Sequence, residues 1–176
     1  MVNYRRSQTT GATYFFTVNL KNRKEKYLTN HVEQLRESFR AVKLQYPFIV
    51  DAIVILPDHL HTIWTLPSED ANYPARWKAV KSRFTRLLIK EGLSLNKNKK
   101  GEYNLWQRRY WEHQIRDDLD LQRHVEYIHY NPVKHGHVKQ VKEWPFSSFH
   151  RFVEQEYLDD NWGEIVGEFA QVGFGE

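Results

Sequence analysis

The sequence predicts an α+β fold, a central antiparallel sheet with helices packed on it, and three observations carry that reading. Short runs of aromatic and β-branched residues alternate with longer runs of helical apolar spacing. Their order is strand–helix–strand–strand–helix–strand, then a further helix. The chain has 176 residues, 40% of them hydrophobic and 15% aromatic, enough for one domain with a true core.

Residues 13–20 carry Tyr14, Phe15, Phe16, Thr17 and Val18 and read as the first strand. Residues 21–26 are a charged loop. Asn30 is placed to cap a helix with Glu33 three residues on, and Val32, Leu35, Phe39, Val42 and Tyr46 keep helical spacing until Pro47 ends it. Residues 48–56 form a second strand, apolar enough in its second half to be central. Pro57-Asp58 signals a tight turn, so residues 59–66 should hairpin back as a third strand. Residues 73–91 form a helix with Pro74 in its first turn and a stripe of Trp77, Val80, Phe84, Leu87 and Leu88. A fourth strand lies within 106–116. Asp117 caps the next helix, with Asp120 at its third position, and that helix ends near Pro132. This order is the split βαβ pattern of ferredoxin-like folds, followed by a C-terminal extension. No internal repeat or linker divides the chain.

Composition narrows the function. No run approaches the length of a membrane span, and the N-terminus lacks a secretory apolar segment. The absence of cysteine excludes disulfides and thiolate metal sites, and a cytoplasmic home is the simplest reading. Residues 1–150 hold 25 of the 26 Lys and Arg and 15 of the 22 Asp and Glu, a balance of +10; residues 151–176 balance at −6. A basic body suits a phosphate backbone.

Two motifs carry chemistry. In a strand, residues two apart share a face, so His59 and His61 present both imidazoles to one site while Leu60 turns to the core. Two neutral imidazoles suit a divalent ion with positions left open for phosphate oxygens. Alternatively, such a pair is structural. On the last helix, at about 100° per residue, Leu121, Val125 and Ile128 make a core stripe. Tyr127, Asn131 and His124 share the strip beside it, whereas Tyr130 points away. Tyr127 is thus the better candidate nucleophile of the two tyrosines. Asn131, one turn on, can offer an amide oxygen to a hard ion or act as a helix cap.

Basic residues Arg76, Lys78, Lys81, Arg83 and Arg86 lie on one amphipathic helix and are candidates for DNA phosphates. Arg5 and Arg6 precede the first strand on a potential arm. Trp106, Arg108, Arg109, Tyr110 and Trp111 interleave aromatic and basic groups in a mix suited to unpaired bases, or to plain core packing.

The motifs Leu56-Pro57-Asp58-His59-Leu60-His61 and Tyr127-Ile128-His129-Tyr130-Asn131-Pro132-Val133-Lys134-His135-Gly136, with Tyr4-Arg5-Arg6, residues 14–20 and Trp144-Pro145-Phe146-Ser147-Ser148, resemble the REP-associated tyrosine transposases. These are single-tyrosine members of the histidine–hydrophobic–histidine (HUH) group, related to the insertion-sequence 200/605 transposases. The resemblance implies a catalytic domain over residues 1–150, and the charge split sets residues 151–176 apart as an acidic tail packed on or near it. The resemblance implies Mg²⁺ or Mn²⁺ on His59, His61 and Asn131, with His124 behind them. It implies attack by Tyr127 on single-stranded DNA beside a repetitive-extragenic-palindrome hairpin, through a 5′-phosphotyrosine, by a monomer acting in the cytoplasm on nucleoid DNA. Asn131 stands where related transposases often carry Gln, a shorter reach with the same amide chemistry. Two rival readings stay open: a non-cutting nucleic-acid-binding module of the same fold, and a metallohydrolase that activates water.

The charge split yields a first prediction. An acidic tail lying on a basic groove competes with DNA, so truncation after Glu154 is expected to tighten hairpin binding or raise cleavage, most of all at low salt. Unchanged or weaker binding and cleavage would remove the competition.

Overall fold

The structure, a computed structural model, describes residues 9–164. Its sheet has four antiparallel strands: β1 (Thr13–Asn19), β2 (Ile49–Ile55), β3 (His59–Thr65) and β4 (Trp111–Gln114), in the order β2-β3-β1-β4. Helices are α1 (Tyr27–Asn30), α2 (Val32–Gln45), α3 (Tyr73–Lys90), α4 (Asp118–Lys134) and α5 (Phe149–Glu154). This is the predicted α+β, ferredoxin-like arrangement.

Alternation along the strands builds two separate cores. Tyr14, Phe16 and Val18 of β1 join Leu60 and Trp64 of β3 beneath α2 and α3, where Trp77 stacks on Trp64 at 4.1 Å between ring centroids. Phe15 of β1, Ile63 of β3 and Ala52 and Val54 of β2 face the other way, against Tyr127 and Ile128 of α4. Both faces of β1 are covered, which is why its sequence is apolar almost without break.

Local chemistry sets the ends. Leu56 N–H donates to the His59 carbonyl at 2.9 Å, closing the β2–β3 hairpin around Pro57-Asp58. Asn72 caps α3 by accepting from Ala75 N–H at 3.1 Å, with Pro74 in the first turn. Asp117 caps α4 by accepting from Asp120 N–H at 2.8 Å. Two expectations are corrected. Asn30 is not the cap of α2; it ends the short helix α1, and His31 separates the two helices without a side-chain cap bond. Pro132 lies inside α4, which runs on to Lys134 with His135 as its C-cap, so Asn131 is an interior residue rather than a cap.

The Trp144-to-Ser148 segment seals the edge of β2. Ile55 N–H donates to the Phe146 carbonyl and Ser148 N–H to the Ile53 carbonyl, each at 2.8 Å, and the Trp144 indole donates to the Ile55 carbonyl at 3.0 Å. Bare strand edges recruit other strands, and this short segment removes the donors and acceptors that would do so. Ser148 Oγ accepts from Ile53 N–H at 2.9 Å and meets His129 Nε2 of α4 at 2.9 Å. Burial, reinforced by the charges of Arg151 and His150, lowers the His129 imidazole to about 3.

His129 therefore folds neutral. Its stabilising contribution is complete above its ordinary value of 6.5 and fades as pH falls toward 3, because the unfolded chain takes up the proton first. Urea unfolding is expected to show this loss through the mildly acidic range. Ser148→Ala is expected to lower stability by about 1–3 kcal/mol at neutral pH by stranding His129 and Ile53 N–H; an unchanged midpoint would show that the edge seal stands without the serine.

Candidate active site

The site lies between β3 and α4. His59 and His61 are fully buried, their ring centroids 5.0 Å apart and nearly perpendicular. Each imidazole is oriented by a neighbour. His59 Nδ1 donates to Asp58 Oδ1 at 2.8 Å, and His61 Nδ1 meets Thr17 Oγ1, its cross-strand partner, at 2.9 Å. Burial would raise the Asp58 carboxyl, but the hydrogen bonds from His59 and Arg23 outweigh it and hold the group at about 2. His59 is pushed down by burial, and further by Arg23 and His135, against the pull of Asp58. It is therefore neutral, the form in which imidazole binds metals. With Nδ1 committed to Asp58, Nε2 carries the lone pair, and this buried atom has no hydrogen-bond partner among the described residues.

Helix α4 brings Tyr127 to this pair. Its ring lies 5.2 Å from His61 and 6.0 Å from Phe15, with the Lys134 ammonium 4.9 Å from the ring centroid. Two turns on, the His135 ring lies 5.1 Å from His59. Asn131 is midway between Tyr127 and His135 on the same helical strip and is fully buried. Tyr130 turns away, toward Gly163.

His124, one turn before Tyr127, tilts against Phe15 at 4.8 Å and stacks on His113 of β4 at 4.7 Å. Asp120 joins them: its carboxylate accepts from His113 Nε2 at 2.8 Å and from Arg116 N–H at 3.0 Å. Burial would raise the Asp120 carboxyl, but these bonds bring it to about 2. His113, Asp120 and His124 form a His/His/Asp cluster suited to a divalent ion, their ligand atoms within 4.8 Å of one another. They also lock the first turn of α4 onto β4 and so fix where Tyr127 falls.

The structure divides the predicted DNA contacts. Lys78, Arg86, Arg108 and Arg109 are exposed. Arg76 is corrected: it is buried, and its guanidinium donates to the Pro47 carbonyl and to Asp70 Oδ2, both at 2.7 Å, and to the Asn72 carbonyl at 3.1 Å. It is a clamp between α3 and the loops around it. Arg83 ties α3 to Glu37 of α2 at 2.9 Å. Lys81 donates to the Gln107 carbonyl at 3.0 Å and lies over the rings of Tyr110 and Trp106. Trp106 packs on Phe84 at 5.6 Å and is a core contact, not an open stacking face. Arg5 and Arg6 lie outside the described residues.

Sequence reasoning missed Thr17, Lys134, His135 and the pairing of His113 with Asp120. Thr17 depends on strand register, which spacing alone does not reveal. Lys134 and His135 simply extend the Tyr127 strip by another turn, and Asp58 precedes His59 directly; those signals were present.

A His-x-His strand and a tyrosine-bearing helix thus meet on one face of the antiparallel sheet, the arrangement that the resemblance to single-tyrosine transposases leads one to expect. Comparison agrees. Residues 8–131, spanning both histidines, Tyr127 and Asn131, match the family described as "Transposase IS200 like". A REP-associated tyrosine transposase of Escherichia coli is 44% identical over 170 residues, covering 97% of this chain and 96% of that one. A Haemophilus influenzae protein assigned to the same group is 50% identical over 165 residues, covering 93% and 94%. A solved REP-associated tyrosine transposase bound to a REP hairpin superposes with a TM-score of 0.86 at 43% identity, covering 100% of this chain and 98% of that one. The chain belongs to the REP-associated tyrosine transposases of the IS200-like family. It is accordingly an enzyme that nicks single-stranded DNA. Among the described residues no helix is long and apolar enough to cross a membrane.

Arg76→Ala tests the correction. It is expected to lower stability by about 2–4 kcal/mol, since it empties a buried volume and strands the Pro47 carbonyl. Nucleic-acid affinity of the folded variant, measured below its melting temperature, is expected to match the parent; a selective loss of affinity would restore Arg76 to the DNA surface.

Proposed function

We propose that this protein cuts and rejoins single-stranded DNA beside a repetitive-extragenic-palindrome hairpin, with Tyr127 as the nucleophile. The observation that carries the reading is the contact of the Tyr127 ring with His61, 5.2 Å away, beside the buried His59. The relative of known structure holds a REP hairpin, and the +10 balance of residues 1–150 suits the phosphates of such a ligand.

His59, His61 and Asn131 would hold Mg²⁺ or Mn²⁺. The fit rests on His59 Nε2, a buried lone pair with no donor among the described residues, set by the Asp58 bond on the opposite nitrogen. The His113–Asp120–His124 cluster is the weaker host because its carboxylate is already taken up by protein hydrogen bonds. When bound, the ion would polarise the phosphate and offset its developing charge.

The chain's own residues do the rest. The Tyr127 oxygen forms a bond to phosphorus as the P–O3′ bond breaks. The phenolic proton is lost, the 3′ oxygen gains one, and a 5′-phosphotyrosine and a free 3′-OH result. The Lys134 ammonium, 4.9 Å from the Tyr127 ring centroid, places a positive charge beside the phosphate to be attacked. Phe15 backs both Tyr127 and His61 and keeps bulk water from that side. Because the ester is conserved in the adduct, the reverse attack by a 3′-OH rejoins strands.

The reading extends to a monomer acting on nucleoid DNA in the cytoplasm. Residues 1–150 would be the catalytic unit and the acidic residues 151–176 its tail.

The test is a hairpin oligonucleotide with a single-stranded flank, incubated with Mn²⁺ and analysed by mass spectrometry. A covalent adduct on Tyr127 is expected, lost by roughly 10³-fold or more in Tyr127→Phe and retained in Tyr130→Phe. His59→Ala and His61→Ala are expected to lose cleavage while binding the hairpin within a few-fold. Nicking without an adduct would point to water as the nucleophile, and an adduct surviving in Tyr127→Phe would move the role to another residue.

A further inference from the structure

Trp111 opens β4 on the sheet face that carries the histidines. It pairs with Thr17, and Thr17 pairs with His61, so the three make one transverse row. Two strand spacings, about 10 Å, separate the first from the last.

The indole is 37% exposed, yet its plane is fixed. It stacks on His113 with centroids 5.8 Å apart and planes 5° from parallel. His113 in turn stacks on His124 and is held by Asp120 at 2.8 Å. Phe15, which touches His61 and Tyr127, meets Trp111 in a T-shaped contact at 5.6 Å. An aromatic ladder thus runs from the interior of the site to a partly exposed ring at the sheet edge. Exposed Arg108 and Arg109 lie just before it in the chain. A rigid ring with basic residues close by in the chain suits unpaired bases and their phosphates, since every base offers a π-face.

We propose that Trp111 stacks the unpaired base next to the phosphate cut at Tyr127, an assignment that rests on the functional reading above. Stacking there pins the strand on the far side of Thr17 from His61, so the phosphate between is held in place without reading base identity. Trp111 is in this sense a substrate-binding residue for the single-stranded flank and not for the hairpin stem.

The experiment uses the full chain carrying Tyr127→Phe, so that binding is measured without cutting. Two hairpins are compared at one salt concentration, one with a single-stranded flank and one blunt. Adding Trp111→Ala is expected to weaken the flanked hairpin roughly tenfold or more while the blunt one stays within about twofold, with Trp111→Phe recovering most of the difference. A 2-aminopurine in the flank is expected to be quenched on binding and to brighten in Trp111→Ala. Equal weakening of both hairpins, or of neither, would overturn the assignment and leave the function standing. Failure of the Tyr127→Phe parent to bind either hairpin would overturn both. A normal Trp111 pattern in a protein that forms no adduct would sink only the nucleophile.

Discussion

The register of β3 against β1 is the constraint on which the rest depends. Thr17 faces His61 and Asn19 faces His59, while Leu60 and Trp64 turn into the opposite core. A slip of one residue would exchange the two faces, sending both imidazoles under α2 and α3 and Trp64 into the site. The large stacked pair Trp64–Trp77, with Phe16 and Phe39 against it, makes that exchange prohibitive. Packing on one face therefore determines chemistry on the other.

The chemical face carries a burden. His59, His61, His124, Thr17 and Asn131 are all buried, and polar groups taken from water are destabilising unless partnered. Most of this is answered locally: Asp58 takes His59, Thr17 takes His61, and the Asp120 backbone carbonyl takes His124 Nδ1 at 2.7 Å. Burial lowers both His59 and His124, which keeps these two imidazoles neutral. The cations nearby, Arg23 and Lys134, sit at the rim of the site, where charge is supported by solvent and by Asp58 or an aromatic face. The result is a buried site with lone pairs inside and positive charge at its rim, a combination suited to a phosphodiester.

Much of this was legible in the chain. The strand–helix order, the hairpin at Pro57-Asp58, the Asp117 cap and the common strip of His124, Tyr127 and Asn131 all follow from spacing and turn chemistry. What was not legible depended on long-range contacts. Nothing local distinguishes buried Arg76 from exposed Lys78 on the same helix; the difference is made by the Pro47 carbonyl, 29 positions away. Trp106 and Trp111 look alike in a run of aromatic and basic residues. The first docks on Phe84 through a bridge to Leu20, and the second stays half open because β4 is an edge strand. Pro132 suggested a helix end, but α4 continues for two residues beyond it because the site's strip, Tyr127 to His135, is packed along β3.

The two edges of the sheet are treated differently, and the difference follows from the placement of the site. On the β2 side, residues 146–148 pair with the strand, and Ser148 ties that seal to His129 of α4. The same helix is thus anchored at His129 to one edge and at Asp120 and His124 to the other, with Tyr127 between the anchors. On the β4 side the strand is four residues long and ends its aromatic ladder in an exposed indole. A short edge strand is a weak template for unwanted strand pairing. It therefore leaves a rigid ring accessible beside the site at little risk of aggregation, and a helix pinned at both ends keeps the phenol in register with it.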